Sequence, residues 1–155
     1  MANPNSEGAD LSLQTMNPRA FRVPLALFTN LADITGADLL TAWTPGFNGR
    51  ILSMEFFVEK PATTAAKLAT LTPKINATNV TGGAVALTSA NCTPQGARVA
   101  GSAVTAGFTF TPTDTIGIVG SGVTAFIEGG GWIILTMAND DLRTTLALAV
   151  GVPPT

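Results

Sequence analysis

From residue 21 onward the chain breaks into short apolar runs, each soon stopped by Gly, Pro, Asn or Asp. Runs of this kind with period-two alternation predict β-strands. Residues 21–29 read as a first strand, and Pro24 marks it as an edge strand, because proline cannot donate to a ladder. A turn follows at 33–36. Residues 37–44 are ambiguous, since Leu39, Leu40 and Trp43 have helix-like spacing in a short segment. Pro45, Gly46, Asn48 and Gly49 give a strong turn signal before a strand at 50–60. There Ile51, Ser53 and Glu55 should oppose Leu52, Met54 and Phe56.

A loop of small residues spans 61–66. A long strand is expected at 67–78, with Leu68, Thr70, Thr72 and Lys74 on one side and Ala69, Leu71, Pro73 and Ile75 on the other. A turn at 81–83 leads to strands at 85–88, 98–105, 108–110 and 114–119. A tight turn at Gly120, Ser121 and Gly122 should precede a strand at 123–127. Gly129–Gly131 then opens the most apolar strand, 132–138. Residues 142–152 could form a final strand or a helical piece, ended by Pro153 and Pro154. The whole pattern predicts an all-β protein, an antiparallel sandwich or jelly roll. Residues 1–20, polar and turn-rich, read as an extended N-terminal arm. Residues 21–155 read as a single sandwich domain that includes a short C-terminal tail.

Composition then narrows the chemistry. The 155 residues contain no His, no Tyr and one Cys. Without His, a Ser-His-Asp triad, a Cys-His dyad and a His-bearing zinc site are impossible within the chain. One Cys cannot make an internal disulfide, and Cys92 is expected as a buried small hydrophobe or a quiet thiol. Lys+Arg 8 against Asp+Glu 10, singly spaced except for Arg19 and Arg22, supply no basic patch for nucleic acid. No apolar run approaches the length of a membrane span. The first ten residues lack a basic region followed by an apolar one, so no signal peptide is expected.

Each remaining constellation has a plain structural reading. The Gly129–Gly131 run lacks the Lys-Ser/Thr of a phosphate loop and suits a hairpin turn or bulge. Asp114, Asp140 and Asp141 do not form a calcium loop, and Asp141 suits a helix cap. Glu55 and Glu59 would share one strand face about 13 Å apart, too far to act as paired catalytic carboxylates. Asn76, Asn79 and Asn91 match the glycosylation acceptor pattern, as chance allows in a Thr-rich chain. Trp43 and Trp132 have no aromatic neighbour close in sequence, which favours core or interface packing over sugar stacking. The reading is a protein that is not an enzyme, with no catalytic residue, cofactor or metal.

Charged residues make up only 12% of the chain, about half the usual share. Interfaces are depleted in charge at their centres. So sparse a surface is expected to be covered in part by other subunits.

A family resemblance follows from the central stretch. It runs through FNGRILSMEFFV from Phe47, PATTAAKLATL from Pro61 and NVTGG from Asn79. It continues through LTSANCTPQG from Leu87, DTIGI from Asp114 and FIEGGGWIIL from Phe126. Together these resemble the small β-sandwich virion proteins of tailed bacteriophages, of the head decoration (cement) type. The resemblance implies a jelly-roll-like fold, made in the bacterial host cytoplasm and placed on the capsid exterior. It implies the major capsid protein as partner and a homo-oligomer, a trimer being favoured, with neither nucleic acid nor membrane bound. On that reading Leu11, Leu13, Met16 and Phe21 are expected as apolar partner contacts, with Arg19 and Arg22 pairing with acidic capsid groups. The rival expectation is a tail-fibre or spike module that binds host surface glycans.

Overall fold

The structure, a computed structural model, describes residues 21–142. Its strands are β1 (Arg22–Asn30), β2 (Asp38–Trp43), β3 (Gly49–Lys60), β4 (Leu68–Ile75), β5 (Thr78–Asn79), β6 (Val85–Thr88), β7 (Arg98–Ala100), β8 (Thr109–Phe110), β9 (Ile116–Thr124) and β10 (Gly130–Asn139). All pair antiparallel. Sheet A has the order β1-β10-β3-β7, with β8 also on β3. Sheet B has the order β2-β9-β4-β5, with β6 also on β4. The chain passes from A to B between β1 and β2, returns for β3, crosses again for β4, and ends with β9 in B and β10 in A. That is the strand order of a jelly roll, as the alternating pattern predicted. The arm at 1–20 and the tail from 143 lie outside the described residues.

The core fills the space between the sheets. Met54, Phe56 and Val58 of β3 and Ile133, Leu135 and Met137 of β10 face Leu71, Val85, Leu87, Ile116 and Ile118 from sheet B. Each large side chain so buried contributes about 1.5–3 kcal/mol relative to exposure. In β4 the expected alternation holds at every position: Ala69, Leu71, Pro73 and Ile75 are buried and the intervening residues are not. Pro73 survives inside the sheet for a geometric reason. Its carbonyl accepts the Val80 N–H at 2.9 Å, so its missing N–H falls on the same side. That side is the gap between β5 and β6, away from the β9 ladder. Pro24 lies where expected, on the edge strand β1.

Five expectations are corrected. Residues 38–43 form a strand whose pairing with β9 slips twice, between Asp38 and Leu40 and between Leu40 and Trp43. Each slip turns the side chains over. Leu39, Leu40 and Trp43 therefore all pack on the core, and the helix-like spacing is the trace of a bulged strand. In β3, Leu52 is an extra residue between two paired neighbours, so Ile51 and Met54 both point inward. The long strand at 67–78 is a hairpin, with Asn76 at φ 54° in its two-residue loop. The strand at 98–105 is short: after Ala100 the chain leaves sheet A, and Ser102 and Thr105 bond along residues 81–84.

Gly120, Ser121 and Gly122 are the most instructive correction. They are not a turn; they continue β9 against Leu71, Thr70 and Ala69. The glycines are needed because the β1–β2 connection presses on the strand. A Cβ on Gly120 would lie 2.6 Å from Ile34 Cγ2, and one on Gly122 would lie 2.8 Å from the Ile34 oxygen. Ile34 is fully buried and cannot retreat.

Gly120→Ala is therefore expected to lower stability by about 1–3 kcal/mol, the usual cost of forced overpacking. Urea denaturation at constant m-value measures it.

Candidate functional site

Alternation that sends half of each strand inward sends the other half to the surface, and the two outer faces differ. On sheet B the exposed side carries Leu68, Thr70, Thr72 and Lys74 of β4 beside Ser121 of β9. Lys74 pairs with Asp38 at 3.2 Å. That face is mostly polar.

The outer face of sheet A is built around an aromatic row. Register places Phe28 of β1 opposite Trp132 of β10, Trp132 opposite Phe57 of β3, and Phe57 opposite Arg98 of β7. The next row is Ala26, Ile134, Glu55 and Ala100. Phe28 and Trp132 meet edge to face, with centroids 5.4 Å apart and planes at 71°. Such a pair contributes about 0.5–1.5 kcal/mol beyond its burial. Yet Phe28 stays 42% and Trp132 40% exposed. Polar groups frame the row. Glu59 accepts the indole N–H of Trp132, and Glu55 accepts from Arg98 in an ion pair. The two carboxylates are thus bound to separate partners. An apolar row inside a polar frame is how a docking surface is built.

Glu59 reaches Trp132 because it is itself an extra residue. The β3–β10 register slips between Gly130 and Gly131, leaving Glu59 unpaired between Val58 and Lys60. The glycine run serves that slip: Gly129 has φ 92°, and a Cβ on Gly131 would lie 2.1 Å from the Phe57 oxygen. The bulge reading of the run holds.

Of the residues expected to contact a partner, Leu11, Leu13, Met16 and Arg19 lie outside the described residues. Phe21 is half-buried, and Arg22 is exposed at the start of β1. Phe28, Phe57 and Ile134 were not singled out from sequence, and Glu59 was weighed there only against Glu55, because only the register brings them to Trp132. Cys92 is fully buried, and burial pushes its thiol up to about 11, so it is inert at neutral pH. Among the described residues, no group of three or more His, Cys, Asp or Glu could hold a metal ion. Asn76 and Asn91 are committed to internal hydrogen bonds, to Asp114 and to the Ala86 carbonyl respectively.

Three surface carboxylates, Asp141 exposed and Glu128 and Asp114 half-buried, tie loops together. One oxygen of Glu128 accepts from the hydroxyls and backbone N–H groups of both Thr63 and Thr64, at 2.6–3.0 Å. These bonds, led by the Thr63 hydroxyl, hold its carboxyl at about 2. Asn76 and Thr111 lower Asp114, and Asn48 lowers Asp141, in the same way. The Glu128 bonds join the loop after β3 to the loop before β10, at the end of sheet A where the aromatic row lies.

A carboxyl lowered by folding stabilises the protein above its ordinary value and loses that contribution as pH falls toward the folded value. Glu128→Gln is therefore expected to be less stable than the native chain near neutral pH, with the gap closing between about pH 4.5 and 2. Urea midpoints across that range measure it.

No protein-family model matches the chain, and no curated protein matches it either.

Proposed function

We propose that this chain is a structural virion protein, a capsid decoration (cement) protein that binds at junctions of major capsid subunits and stabilises the phage head. The observation that carries the reading is the row of exposed Phe28 and Trp132 beside half-buried Phe57, on one sheet of a jelly roll whose other outer face is mostly polar. A rigid sheet holds that row in fixed register, so docking orders few side chains. Burial of its apolar area supplies about 25 cal/mol per Å² before the costs of association. A charge content of 12% keeps desolvation of ionic groups low. Each protein would rest sheet A on neighbouring capsid subunits and resist their separation under internal pressure.

A second reading is favoured by the same tryptophan. An exposed indole beside carboxylates is chemistry that glycans also recognise, and it suits a fibre or spike module binding host glycans. Against a broad platform stands the edge-to-face packing, which leaves the two rings far from coplanar.

The test is to mix purified protein with undecorated heads and measure co-sedimentation and copy number. Many copies per head are expected, with Trp132→Ala weakening binding by about 2 kcal/mol, or roughly thirtyfold. Absence of head binding together with a glycan-array signal would replace this reading with the second.

A further inference from the structure

We infer that β1 is a self-association edge, through which two copies of this chain join their A sheets into one continuous sheet about a two-fold axis at Ala26. The inference stands apart from the capsid reading, since it concerns only what the free edge of β1 can bind.

The free edge can be read residue by residue. Within a strand, alternate residues send their N–H and C=O to the same side. Met54 and Val58 of β3 bond toward the β7 side, to Gly101 and to Ala97. Glu55 and Phe57 therefore bond to Ile134 and Trp132 of β10. That leaves Ile133 and Leu135 of β10 to bond Leu27 and Leu25 of β1. The Leu31 N–H, of the same parity, indeed reaches the Gly129 carbonyl at 3.1 Å. Arg22, Pro24, Ala26, Phe28 and Asn30 are left with backbone groups pointing away from the sheet. Among the described residues, no strand pairs that side.

Natural sheets protect such edges with charge, bulges or brevity. Here β2, the corresponding edge of sheet B, is broken by two slips and begins on Asp38. By contrast β1 runs nine residues, pairs with β10 without a slip, and carries no charge between Val23 and Asn30. Pro24 removes one donor only. Both faces of the edge are apolar. Val23, Leu25 and Leu27 point at the core yet stay half-buried, because nothing among the described residues covers their open flank.

A second copy of β1 fits this edge better than an unrelated strand. Ala26 is the middle of Arg22–Asn30, so an antiparallel pair centred there overlaps over the full strand. Ala26 would exchange both bonds with Ala26 of the second copy, and the Phe28 N–H would meet the Pro24 carbonyl across the axis. The missing Pro24 donor then leaves one Phe28 carbonyl unbonded on each side. Charge agrees with this register. Arg22, which has no ion-pair partner among the described residues, would lie opposite Asn30 of the second copy, whose amide holds Asp33 at 3.0 Å. The two-fold places that carboxylate within reach of Arg22. An isologous contact closes at two copies. It builds dimers rather than the trimer implied by the family resemblance.

Sedimentation velocity of the full chain at micromolar concentrations should show a dimer. Ala26→Pro removes the central donors at an edge position where proline is tolerated. It should give a monomer with unchanged circular dichroism. A cysteine pair supplies an independent test should that variant not fold. Across the axis two Ala26 positions lie about 5.5 Å apart, within disulfide range, whereas two Asn30 positions lie about 27 Å apart. Mild oxidation should crosslink Ala26→Cys and leave Asn30→Cys uncrosslinked. A monomeric or trimeric native chain, a dimeric Ala26→Pro, or equal crosslinking at both positions would overturn the inference.

Discussion

Ten residues of β10 lie along β3, and two slips in that ladder decide where the side chains of sheet A point. Between the slips, Met54, Phe56 and Val58 face the core with Ile133 and Leu135 across from them. Leu52, extra at one end, lets Ile51 join them despite its wrong parity. Glu59, extra at the other end, frees a carboxylate to reach the Trp132 indole. The approach is close: a Cβ on Gly131 would meet both the Phe57 oxygen and the Phe56 ring. The buried half of the ladder and the exposed aromatic row therefore share one cause. A shift of one residue would exchange the faces and bury the row in place of the core.

The few charges are used economically around that ladder. Arg50, Lys74 and Arg98 are paired with Asp140, Asp38 and Glu55. Glu128 and Asp141 accept backbone N–H groups across loops, and Asp114 accepts the side-chain amide of Asn76 from another loop, doing with hydrogen bonds what a disulfide does in other small domains. This suits a chain with one buried thiol. It also leaves the aromatic row and the β1 edge almost free of uncompensated charge, which is the condition for either surface to be covered at low desolvation cost.

Much of the fold was legible because β4 alternates in plain view, β10 is the most apolar run of the chain and Pro24 announces an edge. What was not legible failed for a common reason: the deciding neighbour is far away in sequence. Gly120 and Gly122 look like a turn until Ile34 is placed against them. Leu39, Leu40 and Trp43 look helical until the slips against β9 are known. Asn76 breaks a long strand only because its left-handed backbone closes a hairpin there. The aromatic row was harder still. Phe28, Phe57 and Trp132 come from three strands spread over most of the described chain, and their meeting depends on register. Trp132 could be weighed from sequence as an interface residue; its companions could not.

The two tryptophans have a consequence for how the molecule can be observed. With no tyrosine in the chain, its near-ultraviolet emission comes from two indoles, one in each sheet. Trp43 packs against the core from sheet B, and Trp132 stands on the open face of sheet A. The red part of the emission therefore belongs to Trp132 and the blue part to Trp43. The protein carries an optical signal of what covers its aromatic face, beside an internal reference that the covering does not touch.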